Sequence, residues 1–329
     1  MRKKLFHIED VKQYFTVKKT GFKEEQKYVR AVDGITLDIY EGETLGLVGE
    51  SGCGKSTLGR TLLQLYPLTE GKITYYKSDD REIELASLPP DEMRGFRREL
   101  QLIFQDPYSS LNPRMTVGQI IGEGLVSHGI FKRGDPAMRD YIINVMEECG
   151  LDAYFFGRYP HQFSGGQRQR IGIARSLALK PRFVVCDEAV SALDVSIQSQ
   201  ILNLLSDLKK KSELTYLFIT HDLSVVKYIS DRIGVMYLGN IVELSDTESL
   251  FRHSYHPYTE ALLSAIPTTE LEDKRERILL DGDIPSPVNP PSGCKFHTRC
   301  RYCTEKCLAE EPEFKDLGKG HFVACHYPL

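Results

Sequence analysis

Apolar and polar positions along the first part of the chain follow two different periods. Residues 35–39 alternate strictly, which is typical of a half-buried strand, and residues 44–48 form a short apolar run. That run ends in a glycine-rich loop, after which a helical pattern begins near Lys55. Two more apolar runs, at 183–186 and 216–219, each end in polar residues and are followed by a helical pattern. Strands that alternate with helices predict an α/β fold with a parallel sheet covered by helices.

The middle and the end of the chain have other patterns. Between about residues 107 and 180 the apolar spacing is helical, which predicts a helical subdomain inserted into the α/β fold. Residues 232–244 have the pattern of a hairpin, and prolines become frequent after it. We therefore expect one domain over residues 1–250 and a separate C-terminal extension over residues 251–329.

Composition and charge exclude several classes of function. The chain has 42 Lys and Arg residues against 46 Asp and Glu, a net charge of −4, so it lacks the overall positive field that favours nucleic acid or an anionic bilayer. We expect no nucleic-acid partner. No run approaches the roughly 18 apolar residues of a membrane span, and the basic N-terminus lacks the apolar core of a secretory signal. These features predict a cytosolic chain whose membrane partners, if any, are other subunits.

A phosphate-binding motif occupies the glycine-rich loop. Residues 49–57, named here the phosphate loop, fit the pattern G-x-x-x-x-G-K-[ST] between a strand and a helix. The glycines let backbone N–H groups curve around phosphates, and the N-terminus of the helix adds positive potential. Lys55 would reach the terminal phosphates, and Ser56 would offer its hydroxyl to Mg²⁺. The motif and its context predict nucleotide binding.

Two other segments supply groups that a phosphate loop lacks. The run at 183–186 leads to Asp187, a carboxylate that would bind Mg²⁺ through water, and to Glu188, which would act as general base toward the attacking water. Residues 164–167, named here the signature segment, begin a helical run and would present backbone N–H groups to an anion. Alternatively, this segment only caps a helix with an arginine-rich face. We do not expect one chain to close both phosphate-facing surfaces on the same nucleotide.

In this order, these motifs resemble those of the ATP-binding cassette family. The chain also has Gln105 within Leu-Ile-Phe-Gln-Asp-Pro, Asp194 at the end of Ser-Ala-Leu-Asp, and His221 directly after an apolar run. The resemblance covers about residues 5–250. It implies a P-loop NTPase fold with a RecA-like core and a helical subdomain, and an enzyme that hydrolyses ATP with Mg²⁺.

The resemblance implies roles for individual residues. Two cassettes would dimerise head to tail, with each ATP between Lys55 of one subunit and the signature segment of the other. Phe15 would stack on adenine, although the adjacent Tyr14 could serve instead. The implied catalytic residues are Glu188, His221 and Lys55, and the implied routes to Mg²⁺ are Ser56, Gln105 and Asp187. The implied ATP-binding residues are Phe15, Gly49, Ser51, Gly52, Gly54, Lys55, Ser56, Thr57, Gln105, Ser164, Gly165, Gly166, Gln167 and Asp194.

Two details narrow the resemblance within the family. The sequence from Asp187 to Asp194 and the Val-Ser-Ile-Gln-Ser-Gln that follows look like the second ATPase, the F-type subunit, of oligopeptide and dipeptide importers. The segments that start at His256 and Ile284 resemble the C-terminal extension of the same proteins. This implies a peripheral subunit at the cytoplasmic face of the membrane. Its implied partners are a second, D-type ATPase, two transmembrane permease subunits and an extracytoplasmic peptide-binding protein.

Five of the eight cysteines lie between residues 294 and 325. In a reducing compartment such crowding indicates metal more than disulfides. The resemblance implies a [4Fe–4S] cluster, and four thiolates suit tetrahedral Zn²⁺ equally well by ligand number. A set of small buried thiols is the alternative, and Cys303 departs from the importer pattern. The implied ligands are Cys294, Cys300, Cys307 and Cys325.

Other functions remain open from the sequence. The same ATPase type could energise import of nickel or another small solute. A cassette ATPase that acts on nucleic acid is a further alternative, which the absence of basic arms and coiled-coil insertions disfavours. The cysteine-rich tail could also act as a metal or redox sensor on an otherwise unchanged ATPase.

Overall fold

A computed structural model describes residues 2–19, 25–266 and 277–329. The chain forms two compact units, one built from Met1–Ala86 and Ile219–Leu329 and the other from Ser87–Phe218. In chain order the strands and helices are β1 Lys4–Thr16, β2 Tyr28–Tyr40, β3 Thr44–Val48, α1 Lys55–Leu62, β4 Glu70–Tyr76, β5 Glu82–Glu84, α2 Pro90–Phe96, β6 Leu100–Ile103, α3 Val117–Ser127, α4 Pro136–Glu148, α5 Gly165–Leu177, β7 Phe183–Asp187, α6 Val195–Ser212, β8 Thr215–Ile219, α7 Leu223–Ile229, β9 Arg232–Tyr237, β10 Asn240–Asp246, α8 Thr247–Arg252, α9 Pro257–Ser264, α10 Glu305–Ala309, β11 Phe314–Asp316 and β12 Phe322–Ala324.

The first unit contains two sheets. One has the strand order β2-β1-β4-β5, and its three pairings are antiparallel. In the other, β3 runs parallel to β9, and β10, β12 and β11 continue outward from β9 as antiparallel neighbours. The predicted hairpin is confirmed as the antiparallel pair β9 and β10.

The C-terminal extension packs against the other elements of the first unit. Strand β12 pairs with β10, with Glu243 opposite Val323, and the Val323 side chain is fully buried. A single apolar cluster joins Val48, which ends β3, to Tyr258 in α9 and Phe296 in the cysteine-rich tail. Burial of such a cluster requires the tail to fold against the strand that leads into the phosphate loop.

The second unit contains three strands in the order β8, β7, β6, with β6 and β7 parallel. The helical pattern predicted around residues 107–180 is present as α3, α4 and α5. Ile142 and Met146 on α4 are buried, as their spacing indicates, and the hydroxyl of Tyr141 donates a 2.8 Å hydrogen bond to the carbonyl of Ala178 beyond α5. The family-based boundaries at residues 107, 180 and 250 stay a prediction.

In the described ranges of the chain, no helix has both the length and the apolar character that crossing a membrane requires.

Candidate functional site

The phosphate loop lies between β3 and α1, and its backbone requires glycine. Gly54 caps α1 with φ 107° and without any side-chain hydrogen bond to the helix. A β-carbon on Gly54 would lie 1.9 Å from the carbonyl oxygen of Ala31, and one on Gly49 would lie 2.1 Å from that of Met236. No side chain caps the N-terminus of α1, and a helix N-terminus is a place where an anion can accept backbone hydrogen bonds.

Lys55 is the first residue of α1, and its side chain is turned into the loop. Only 4% of the residue is exposed, and the ammonium donates hydrogen bonds to the carbonyl oxygens of Gly49 at 2.7 Å and Glu50 at 3.0 Å. The loop therefore curves around a buried cation. Phosphate oxygens can replace these carbonyls as acceptors, because an ammonium offers three donors and prefers a charged partner. A polyphosphate thus fits both the cradle and its donor set.

The two aromatic candidates at the end of β1 have different surroundings. The hydroxyl of Tyr14 donates to the carboxylate of Asp33, and the guanidinium carbon of Arg30 lies 5.8 Å from the centre of its ring. The ring of Phe15 meets that of Tyr66, which follows α1, edge to face at 5.2 Å. These contacts favour Phe15 as the adenine platform, since Tyr14 is held by a polar network of its own.

His221 follows β8 and belongs to the same unit as the phosphate loop. The N–H of the preceding residue, Thr220, donates to the carbonyl oxygen of Leu47 in β3 at 3.2 Å. The exposed His221 therefore stands beside the strand that leads into the phosphate loop.

In the second unit the acidic pair stands at the end of β7. Asp187 is 1% exposed, and Glu188 takes a left-handed backbone conformation with φ 48°. The hydroxyl and the N–H of Ser191 both donate to the Glu188 carbonyl, at 3.0 and 3.2 Å. The side-chain amide of Gln105 donates to Glu188 Oε2 at 2.7 Å. The structure thus brings together two predicted residues that are 83 positions apart in the chain.

The signature segment begins α5. The Ser164 hydroxyl accepts from the N–H of Gln167 at 3.3 Å, and the Gln167 side chain accepts from the N–H of Ser164 at 3.1 Å, which forms a capping box. A β-carbon on Gly166 would lie 2.4 Å from the side chain of Ile197, so α5 and α6 approach closely there. Asp194 caps α6 by accepting from the Ile197 N–H at 3.0 Å. A hydrogen bond from the Ser196 hydroxyl is the main reason that the pKa of Asp194 is lowered, so this carboxylate is ionised.

The candidate residues are divided between the two compact units. The first unit holds Phe15, Gly49, Ser51, Gly52, Gly54, Lys55, Ser56, Thr57 and His221. The second holds Gln105, Ser164, Gly165, Gly166, Gln167, Asp187, Glu188 and Asp194.

Four cysteines of the tail line one small cavity, and they are the four that the resemblance implies: Cys294, Cys300, Cys307 and Cys325. Cys303 is not among the lining residues. Burial is the first cause that raises the pKa of the Cys294 thiol, and the three other cavity cysteines raise it further. As the side chains stand, the described part of the chain has no group of three or more His, Cys, Asp or Glu residues arranged to hold a metal ion. The thiols converge, but a ready-made metal site is not supported.

Two contacts of the tail were not predicted. Arg299 forms an ion pair with Glu50 in the phosphate loop, at 2.7 Å. His321 is 7% exposed and lies 2.7 Å from the buried carboxylate of Glu243. In the sequence, the carboxylate of Glu243 lies between the apolar residues Val242 and Leu244. This placement was the signal that Glu243 would be buried and would need a polar partner.

Comparison with known proteins gives the class. Residues 32–191 match the ABC transporter family, and residues 242–307 match the oligopeptide/dipeptide transporter C-terminal region. Among solved structures, the ATP-binding cassette MJ0796, described as a dimer bound to ADP and Pi in a post-hydrolysis state, is similar with a TM-score of 0.63 and 28% identity. The similarity covers 74% of this chain and 99% of that one. The fold is that of an ABC-type ATPase.

Individual relatives extend the likeness over nearly the full chain. A putative oligopeptide transport ATP-binding protein of Bacillus subtilis, YkfD, is 54% identical over 98% of this chain and 95% of its own length. The oligopeptide transport ATP-binding protein OppF of Salmonella typhimurium is 49% identical over 98% and 96%. The chain therefore belongs to the ABC transporter family, as an ATP-hydrolysing member that carries the oligopeptide/dipeptide transporter C-terminal region.

Proposed function

We propose that this ATPase energises the import of oligopeptides or dipeptides across the cytoplasmic membrane. The observation that carries the proposal is that one chain matches both the ABC transporter family and the oligopeptide/dipeptide transporter C-terminal region. Relatives at about half identity over almost the whole length are named for oligopeptide transport, which supports the same cargo class here.

The proposed ATP site is shared between two cassettes. The phosphate loop, Lys55 and Phe15 of one subunit would bind the nucleotide, and the signature segment of the other would cover its phosphates. Two observations support this. The phosphate loop offers a cradle that β-carbons would fill, and the signature segment exposes the start of a 13-residue helix.

The proposed chemistry uses the acidic pair of the second unit. Glu188 accepts a proton from the attacking water, and Gln105 holds the Glu188 carboxylate in one orientation. His221 would donate a hydrogen bond to the γ-phosphate, and Lys55 would stabilise its developing charge. Ser56, Gln105 and Asp187 would hold Mg²⁺, directly or through water. When bound, Mg²⁺ neutralises charge on the phosphate oxygens.

The proposed assembly has a second ATPase subunit of the D type, two permease subunits and an extracytoplasmic binding protein. The chain would act at the cytoplasmic face as a peripheral subunit.

We also propose that Cys294, Cys300, Cys307 and Cys325 bind a [4Fe–4S] cluster, with Zn²⁺ as the alternative. The lining of one cavity by these four thiols, to the exclusion of Cys303, supports the ligand set. In the described residues the thiols are not arranged as a metal site, so metal binding would require the cysteine side chains to move closer together.

Reconstitution tests the transport function. The chain is combined with the second ATPase subunit, the permeases and the binding protein in vesicles, and ATP hydrolysis is measured with oligopeptides, dipeptides or nickel complexes added. Stimulation by peptides supports the proposal. Stimulation only by nickel or another small solute would assign a different cargo, and activity stimulated by nucleic acid without the permeases would overturn the transport role.

A further inference from the structure

The phosphate loop has one acidic residue, Glu50, and the cysteine-rich tail neutralises it. Both terminal nitrogens of Arg299 donate to the Glu50 carboxylate, at 2.7 and 3.1 Å. The Arg299 side chain is 6% exposed and that of Glu50 is 26% exposed, so the pair is largely shielded from water. A two-point guanidinium–carboxylate contact fixes orientation as well as charge.

Several contacts hold Arg299 in place. It ends the single turn His297–Arg299 and directly precedes Cys300, which lines the cysteine cavity. The ring of Phe296, 2% exposed, packs edge to face against Tyr237 at 5.2 Å. Lys295 in the same segment forms an ion pair with Asp33 at 2.6 Å. The contacts of these neighbouring residues therefore fix the position of Arg299 beside the phosphate loop.

The backbone of Glu50 is also held from this side. Its N–H donates a 2.9 Å hydrogen bond to the hydroxyl of Tyr258 in α9, while its carbonyl accepts from the Lys55 ammonium at 3.0 Å. Glu50 therefore connects the nucleotide-binding lysine with the C-terminal extension. A carboxylate on the phosphate loop itself would repel a polyphosphate unless a cation paired with it.

We propose that Arg299 is a positioning residue for nucleotide binding, which acts by neutralising Glu50 and holding its carboxylate away from the phosphates. The inference rests on the proposal that the phosphate loop binds the nucleotide. It assigns the charge balance of the phosphate loop to a residue that is 249 positions away and outside the cassette motifs named above.

The test uses the full chain and equilibrium binding of ATP, ADP and AMP in the presence of Mg²⁺. We expect Arg299→Gln to raise the Kd for ATP roughly tenfold, the effect of losing one charge-assisted contact. The loss of affinity should become smaller from ATP to ADP to AMP, and smaller as salt is added, because it arises from repulsion between Glu50 and the phosphate charges. Glu50→Gln should bind ATP at least as tightly as the wild type, and Glu50→Gln/Arg299→Gln should recover to within about threefold of it.

Arg301→Gln is the matched control. Arg301 lies two residues further along the tail and pairs with a carboxylate, that of Glu260 at 2.9 Å, and we expect its variant to bind ATP as the wild type does. The inference is overturned if Arg299→Gln leaves ATP binding unchanged. It is also overturned if Glu50→Gln loses as much affinity as Arg299→Gln and the double variant binds ATP no more tightly. The ion pair would then only stabilise the fold of the loop. If the wild type binds no better than Lys55→Ala, the proposed nucleotide site itself fails.

Discussion

The amide of Gln105 donates a hydrogen bond of 2.7 Å to Oε2 of Glu188. Gln105 is exposed after β6, whereas Glu188 follows β7, the parallel neighbour of β6, in a left-handed conformation. Because non-glycine residues rarely adopt that conformation, the position of the Glu188 side chain is imposed by its surroundings. Contacts within the chain thus orient the residue proposed as general base.

Replacing Glu188 by Gln should separate nucleotide binding from hydrolysis. The amide keeps the shape of the side chain but cannot take a proton from water, so we expect kcat to fall at least about a hundredfold while ATP still binds. Steady-state turnover and ATP binding are measured with the native partners present, and ATP should trap the closed dimer. Glu92→Gln, an exposed carboxylate of α2, serves as control. Wild-type turnover by Glu188→Gln would remove Glu188 from the base role.

Replacing Gln105 by Ala should lower kcat by a smaller factor, roughly tenfold, because the general base loses one hydrogen bond to a charged group. If Gln105 acts through Glu188, adding Gln105→Ala to Glu188→Gln should cost little more. Gln101→Ala is the control, since the side-chain amide of Gln101 in β6 donates to the nearby Arg97 carbonyl, at 2.6 Å. Fully additive losses in the double variant would contradict the coupling.

Replacing Gly54 by Ala should abolish ATP binding and lower stability. The new β-carbon would overlap the Ala31 carbonyl at 1.9 Å, and the φ of 107° is strained for alanine by about 1–3 kcal/mol in addition. Thermal unfolding and ATP titration measure the two effects. Gly95→Ala in α2 has open space around its β-carbon and should leave ATP binding unchanged, with stability equal or slightly higher. Near-wild-type affinity in Gly54→Ala would contradict the loop as the phosphate cradle.

The proposed cysteine ligands predict different outcomes for two matched variants. After anaerobic purification, Cys300→Ser should lose most of the bound iron or zinc, whereas Cys303→Ser should retain it, because only Cys300 of the two lines the shared cavity. Metal analysis and visible absorbance distinguish an iron–sulfur cluster from zinc. A wild-type protein that is fully active without metal, or equal losses in both variants, would refute the proposed site.

The local motifs were predictable from sequence because each depends on residues close together in the chain. Residues 49–57 specify a strand-to-helix loop by themselves, and the structure shows Lys55 turned into it. The hairpin formed by β9 and β10 was predictable for the same reason.

Long-range polar contacts were not predictable from sequence. Glu50 and Arg299 are each an ordinary charged residue in its own segment, and no period connects positions 249 apart. Strand β1 was missed for another reason. Its pairing with β2 shifts register between Ile8 and Val11, which interrupts the alternation that identifies a strand.

The division of the first unit into two chain segments has a consequence for synthesis. Leu45 in β3 pairs with Arg232 in β9, and about 190 residues lie between them, which a ribosome adds in roughly ten to forty seconds. During that interval β3, buried along its whole length in the folded chain, has no partner from β9, while Ser87–Phe218 is contiguous and can fold first. The nascent phosphate loop therefore depends on the last third of the chain for the partner strand of β3.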